Sequence, residues 1–269
     1  MNKKIDVLVV GAGLSGIGAG YHLQKKCPET SFLILEGREN IGGTWDLFKY
    51  PGIRSDSDMY TLGYNFKPWK EQKAIADAPS ILKYLNETVE EFNLKSKIRF
   101  GKYVKKARWS SDSNQWTVDI EDKKTGKFSQ ILCSFIFMCS GYYSYKEGYT
   151  PHFEGKENFK GDIIHPQKWD PSFDYSNKKI VVIGSGATAV TIVPEMAKTA
   201  KHVTMLQRSP TYVVAAPERD NLANKLRKYL PLKFTYWFIR WRNILRQQYY
   251  FRLCKKYPKG VKNAIIREV

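Results

Sequence analysis

A chain of 269 residues, 42% apolar and 26% charged, is long enough to bury a sizeable core and too hydrophobic for intrinsic disorder. Its 44 Lys and Arg against 26 Asp and Glu leave a formal charge of +18, which favours an anionic partner and says nothing about fold. The cysteines Cys27, Cys133, Cys139 and Cys254 form no C-x-x-C pair, so no disulfide framework, dithiol centre or metal site is indicated, and a reducing cytoplasm is the expected compartment.

Residues 5–10 read as a short buried strand. Asp6 and the glycines that follow argue against a secretory signal, and no run of about 18 apolar residues is present to span a bilayer. A helix over 15–26 and a strand over 31–35 complete a βαβ unit, which implies a parallel sheet. Residues 41–69 are irregular. A helix is predicted over 79–93, with Ile81, Leu82, Leu85, Val89 and Phe92 on one face. Antiparallel strands are predicted over 98–109 and 115–121, and an apolar strand over 131–139. After a Tyr-, Pro- and Gly-rich connection over 141–177 comes a second βαβ pattern: strand 179–183, helix 187–199 and strand 202–207. From Asn221 the pattern is helical and basic. The expected division is 1–140, a linker over 141–177, 178–220 and a helical insertion over 221–269.

Gly11-Ala12-Gly13-Leu14-Ser15-Gly16 fits G-x-G-x-x-G between a strand and a helix, with Glu36 at the end of the next strand. Gly11 permits the tight turn, Gly13 lets the backbone approach a pyrophosphate, and Gly16 allows close helix–strand packing. The helix N-terminus offers its N–H groups to the phosphates, and Glu36 can accept from a ribose diol. Ile183-Gly184-Ser185-Gly186-Ala187-Thr188-Ala189 carries a second copy. Its second strand ends not in an acid but in Gln207-Arg208, and Arg208 can pair with a 2′-phosphate. The first turn therefore reads as a dinucleotide site, the second as an NADP(H) site, and two such sites in one chain suggest a flavin in the first. The simpler alternatives are a structural glycine turn and a solvated arginine. Gly42-Gly43-Thr44-Trp45 could let backbone approach a flavin or could be an ordinary turn.

Phe159-x-Gly161-x-x-x-His165-x-x-x-Trp169-Asp170 matches the fingerprint of the Baeyer–Villiger monooxygenases. The stretches over 42–60 and 183–190 resemble the ethionamide-activating branch of that family, and the resemblance runs over essentially the whole chain. It implies an α/β fold with two Rossmann-like domains, one for FAD and one for NADPH, ending here in a basic helical segment. It implies that NADPH reduces the flavin and that O2 then adds to form a C4a-peroxyflavin, which inserts oxygen into a ketone or oxidises a soft sulfur. Carried over residue by residue, Ser15, Glu36, Thr44, Trp45, Asp46 and Leu47 would contact FAD, and Val104 would meet the adenine through its backbone. Arg54, Ser55 and Asp56 would form a loop shared with NADP, with Asp56 near flavin and nicotinamide. Residues 183–189, Gln207 and Arg208 would hold NADP. His165 would couple domain movement to catalysis.

Chains of this family continue beyond position 269 and carry a catalytic arginine there. The chain is therefore expected to be an N-terminal portion that does not oxygenate substrate alone. An N- or S-oxygenating flavin monooxygenase is the alternative within enzymes, opposed by Trp169-Asp170. A non-catalytic dinucleotide-binding or membrane-associated remnant is the alternative outside them. Residues 221–269 hold thirteen Lys and Arg against Glu268 alone, interleaved with aromatics. They read as a helical insertion with an apolar packing face, or else as a surface for an anionic membrane. No nucleic-acid-binding module appears.

Overall fold

The structure, a computed structural model, describes residues 3–209, 212–213 and 217–268. In chain order it contains β1 (Lys3–Val10), α1 (Leu14–Lys26), β2 (Phe32–Leu35), α2 (Thr44–Leu47), α3 (Met59–Leu62), α4 (Ala78–Glu91), β3 (Ile98–Arg99), β4 (Lys102–Ser110), β5 (Gln115–Asp122) and β6 (Phe128–Met138). There follow β7 (Lys179–Ile183), α5 (Ala187–Met196), β8 (His202–Leu206), α6 (Asn221–Leu226), α7 (Leu232–Lys256) and α8 (Pro258–Glu268). They form two compact units: Met1–Lys49 with Ala78–Trp169, and Tyr50–Asp77 with Asp170–Val269.

The first unit is a six-stranded sheet in the order β3-β2-β1-β6-β5-β4. β3, β2, β1 and β6 run parallel, and β5 and β4 add an antiparallel edge. β2 is apolar and buried at all four positions, as a strand covered on both faces must be. Ile5, Leu8, Leu33, Leu35, Val118, Ile120 and Cys133 pack into one buried apolar cluster. Burial pushes the Cys133 thiol up to about 11. On α1, Gly20 lets the helix lie close to the sheet: a Cβ there would stand 2.8 Å from Ile34 Cδ1. Ile17 and Ile34 are fully buried, each worth about 1.5–3 kcal/mol of transfer free energy. The α4 face takes in Tyr84 and Thr88 besides the expected Ile81, Leu85 and Val89. The Thr88 hydroxyl escapes a desolvation cost by donating to Tyr84 O at 2.6 Å.

The stretch 98–109, expected as one antiparallel strand, is two. β3 continues the parallel sheet beside β2, and only β4 is antiparallel to β5. Gly101 makes the break, with φ +64° and its N–H bonded to Arg38 O at 3.0 Å.

The second unit holds the parallel pair β7–β8 with α5, together with α3, α6, α7 and α8. It also takes residues 50–77, which the sequence reading left with the first domain. Long-range backbone pairing is the reason: Ser55 N donates to Ala76 O, Met59 N to Ala74 O, and the Ala74 and Ile75 amides to Glu218 O. Met59 and Tyr60 are buried, as are Tyr236 and Ile239 of α7, and the Tyr60 and Tyr236 rings lie 5.9 Å apart. The opposite side of α7 is open, with Phe234, Trp237, Trp241, Leu245 and Phe251 exposed. Among the described residues, no helix is long and apolar enough to cross a membrane.

Candidate functional site

In the first unit the turn between β1 and α1 is braced from three sides. Gly11 adopts φ +105°, and its N–H reaches Leu35 O at 2.7 Å. A Cβ at Gly16 would stand 1.8 Å from Gly11 O, so this position admits only glycine. Glu36, buried at the end of β2, accepts from the Ala12 amide at 2.8 Å through Oε2 and from the Arg38 amide at 3.0 Å through Oε1. The second glycine pair packs directly on this turn: Gly42 N donates to Ala12 O, and a Cβ at Gly43 would come within 3.2 Å of Gly13 Cα. That contact, with φ +112° at Gly42 and +55° at Gly43, accounts for both glycines.

Gly13 is different. Its φ of −78° suits any residue, and among the described residues a Cβ there would meet only Gly43 backbone, nearest at 3.5 Å, an ordinary contact. The fold does not demand glycine at this position, whereas a phosphate drawn onto the helix N-terminus does. Ser15 beside it is exposed.

Two residues passed over in the sequence complete this corner. Arg38 pairs with Asp46 Oδ2 at 2.6 Å and donates to Gly43 O at 3.1 Å, tying α2 and its Thr44, Trp45, Asp46 and Leu47 to the glycine turn. Tyr145 bonds Thr44 through its hydroxyl and lies under the Arg38 guanidinium, 5.6 Å from ring centroid to Cζ. Burial, followed by the Glu36 charge, pushes the Tyr145 phenol up. The position of Arg38, two residues beyond the strand-ending acid, was a usable signal. For Tyr145 the sequence holds none. Val104 sits in β4 opposite Ile120 with its side chain against the core, just before a bulge in the ladder.

The second unit repeats the arrangement. Gly184, at φ +131°, follows Ile183, and its N–H donates to Leu206 O at 2.8 Å. That bond and the Ile183↔Leu206 register put Gln207 and Arg208 immediately beyond the strand that flanks the turn. Gly186 has φ −78°, and a Cβ there would meet no described residue within 4 Å beyond its chain neighbours, so among the described residues nothing explains this glycine either. Ser185 and Thr188 are half-buried, Ala187 is exposed and Ala189 is buried in α5. Arg208 is exposed and has no ion pair with a described residue. Tyr50, another residue not anticipated, is hydrogen-bonded to the Thr188 side chain, and burial pushes its phenol up. Gly52, at φ +73°, packs on Glu195 and Thr191 of α5. The loop that follows carries Arg54 and Asp56 exposed and Ser55 buried. It therefore belongs to the same unit as the second glycine turn.

The fingerprint has local reasons as well. A Cβ at Gly161 would strike the Phe159 ring at 2.7 Å, so glycine lets that ring fold back. The His165 ring lies against Gly148, where a Cβ would come within 2.0 Å of it, and its Nδ1 accepts from Gln167 N at 3.2 Å. The last residue of the first unit is Trp169, and Asp170 opens the second segment of the second unit.

A family model described as flavin-binding monooxygenase-like matches residues 2–224. The chain is 53% identical over 267 residues to the FAD-containing monooxygenase EthA of Mycobacterium tuberculosis, covering 99% of this chain and 54% of that protein. It is 51% identical over 270 residues to the probable FAD-binding monooxygenase AlmA of Acinetobacter baylyi, covering 100% and 54%. The chain thus spans about half the length of the curated relatives it matches. Among solved structures, an oxidised steroid monooxygenase bound to NADP superposes with a TM-score of 0.72 at 29% identity, covering 87% of this chain and 43% of that one. A cyclohexanone-bound cyclohexanone monooxygenase gives 0.72 at 25% identity, covering 85% and 44%. With the family model matching most of its length, the chain belongs to the flavin-binding monooxygenase-like family.

Proposed function

We propose that this chain carries the FAD and NADPH sites of a Baeyer–Villiger-type monooxygenase, an oxidoreductase that uses O2 on a ketone or a thio-compound. The observation that carries the reading is the pair of glycines, Gly13 and Gly186, that neither backbone conformation nor packing requires. Each stands at the start of a helix whose N–H groups suit a pyrophosphate. FAD would lie on Gly11–Gly16, with Glu36 toward the ribose and Ser15, Thr44, Trp45, Asp46, Leu47 and Val104 around it. NADPH would lie on Ile183–Ala189, with Arg208 on the 2′-phosphate, Gln207 beside it, and Arg54, Ser55 and Asp56 facing the nicotinamide end. His165 would couple the two units. The flavin, when bound and reduced by NADPH, supplies the oxygen-activating chemistry, and the residues of this chain bind and orient the two cofactors.

The purified chain, mixed with FAD and gel-filtered, is expected to retain flavin, and anaerobic NADPH is expected to bleach it. A colourless protein that shows no response to NADPH overturns the reading. In a version extended to the length of its relatives, a panel of ketones and thioethers followed by mass spectrometry reads the substrate class as ester or sulfoxide, while the 269-residue chain is expected to give neither. The exposed Trp237, Trp241 and Phe251 among the bases of α7 favour a second, additional reading, peripheral contact with an anionic membrane. Co-sedimentation with anionic against neutral vesicles tests it.

A further inference from the structure

The exposed loop Arg54–Asp56 is held in place by the far side of its own unit. Immediately after it, Asp58 caps α3 by accepting from Thr61 N at 3.1 Å. The other end of α3 meets Arg240 of α7. Arg240 Nη1 lies 2.7 Å from Tyr60 O and 3.0 Å from Tyr236 Oη, with Thr61 O and Gly63 O at 3.3 and 3.2 Å. Tyr236 Oη in turn donates to Tyr64 O at 3.0 Å. A cation thus gathers the carbonyls that a helix end leaves without partners. Two residues along α7, Arg242 pairs with Asp220, two residues beyond Glu218, whose carbonyl takes the Ala74 and Ile75 amides. The strand of chain so held, 74–76, accepts the Ser55 and Met59 amides. Both branches begin on α7 and end on the residues flanking Asp56. Inside the loop, Ser55 Oγ donates to Ser57 O at 2.7 Å and accepts from Ser57 N, which leaves Arg54 and Asp56 facing outward.

We propose that Arg240 is a positioning residue for nicotinamide-dinucleotide binding, acting through α3 to hold the Arg54–Asp56 loop. The proposal rests on the reading of the second unit as the NADPH site. It assigns a task to the part of the basic tail that the sequence suggested only as an insertion or a membrane surface. Arg240 touches no cofactor itself. All these contacts are made by one nitrogen, Nη1, so an ammonium that reaches the same place can reproduce part of them.

The test compares the wild-type chain with Arg240→Ala, Arg240→Lys and Tyr236→Phe by two readouts. Hydrogen exchange is followed at the Ser55 and Met59 amides, with Val9 and Ile34 of the first unit as reference. NADP+ affinity and FAD content are measured on the same samples. In Arg240→Ala, exchange at Ser55 and Met59 is expected to rise and NADP+ to bind about tenfold more weakly, with FAD content unchanged and Arg240→Lys restoring part of the loss. If Arg240→Ala does not fold, Arg240→Lys and Tyr236→Phe are expected to show the same selective pattern at smaller size. Unchanged exchange at Ser55 and Met59, or NADP+ affinity that ignores a loosened loop, overturns the proposal. So does equal loss of FAD and NADP+, which marks a merely structural role. Failure of the wild-type chain to bind NADP+ refutes the NADPH reading instead, and the exchange data alone then decide whether Arg240 orders the loop.

Discussion

The Glu36 carboxylate accepts from the Ala12 amide at 2.8 Å, so the acid that ends β2 braces the turn between β1 and α1. Its second oxygen takes the Arg38 amide, and Arg38 in turn reaches Gly43 O and Asp46. One buried carboxylate therefore sets the geometry of the whole corner.

Glu36→Ala is expected to leave two backbone amides without their partner, at a cost of about 1–3 kcal/mol. Denaturant unfolding reads the loss. Glu36→Gln keeps the shape but turns one acceptor into a donor, so it should recover part of the stability and not all of it. Equal stability of Glu36→Ala and wild type would show that the bracing contributes nothing.

The two glycines of the same turn should separate stability from ligand binding. Gly16→Ala drives a Cβ onto Gly11 O and is expected to cost on the order of 3 kcal/mol or more. Gly13→Ala meets no such obstacle and should change the melting temperature little. Gly13→Val should nevertheless lose FAD by about tenfold or more, because the side chain stands where the pyrophosphate must approach the helix. Melting curves and flavin absorbance, measured on the same samples, decide it.

Both glycine turns were legible because they are local: apolar strand, spaced glycines and helix lie within some two dozen residues of one another. Glu36 and Arg208 were legible for the same reason, each standing at a strand end at a known spacing. What escaped the sequence depends on distant chain paths. Tyr145 reaches Thr44 across about a hundred residues of sequence. Residues 50–77 join the second unit through Glu218 and α7, and no periodicity records that pairing. In α7 aromatics lie on every side, so the pattern could not tell the Tyr236–Ile239–Arg240 side that packs on α3 from the Trp237–Trp241 side left open. The break at Gly101 was visible as a glycine but not as a change of strand partner.

Asp122 gives the first unit an acid-side pH dependence. Its carboxylate pairs with Lys102 and accepts from the Lys124 and Thr125 amides at 2.9 and 3.2 Å, which hold its pKa at about 2 against an ordinary 3.8. A value depressed on folding means that the stabilisation is present above the unfolded value and is lost as pH falls from about 4 toward 2. Asp122→Asn should flatten part of the fall in stability over that window and leave the neutral-pH slope unchanged. Asp119 and Glu121, which Gln130 and Lys105 hold low in the same way, contribute to the residual slope, as do Asp6, Asp170 and Asp174, which Ser31, Ser172 and Ser176 hold low. Acid titration of unfolding, wild type against Asp122→Asn, is the measurement, and superimposable curves would sink the assignment.

Arg208 should choose between the two nicotinamide dinucleotides. It stands two residues beyond Leu206, whose carbonyl holds the Gly184 amide, so the residue lies at the strand end that flanks the turn. It is exposed and has no ion pair with a described residue, so no internal partner must be given up on binding. A 2′-phosphate offers it charge-assisted hydrogen bonds worth roughly 1.5–3 kcal/mol, about ten- to a hundredfold in affinity. NADH has a hydroxyl at that place and gains little from a cation. Arg208→Ala is therefore expected to weaken NADPH by that factor and leave NADH almost unchanged. Added salt should weaken NADPH binding to the wild type more than to the variant, since it screens the pair. Titration of the chain with both cofactors at two ionic strengths supplies all four numbers. Equal weakening of NADPH and NADH would assign Arg208 to general affinity and leave the choice of cofactor to another residue.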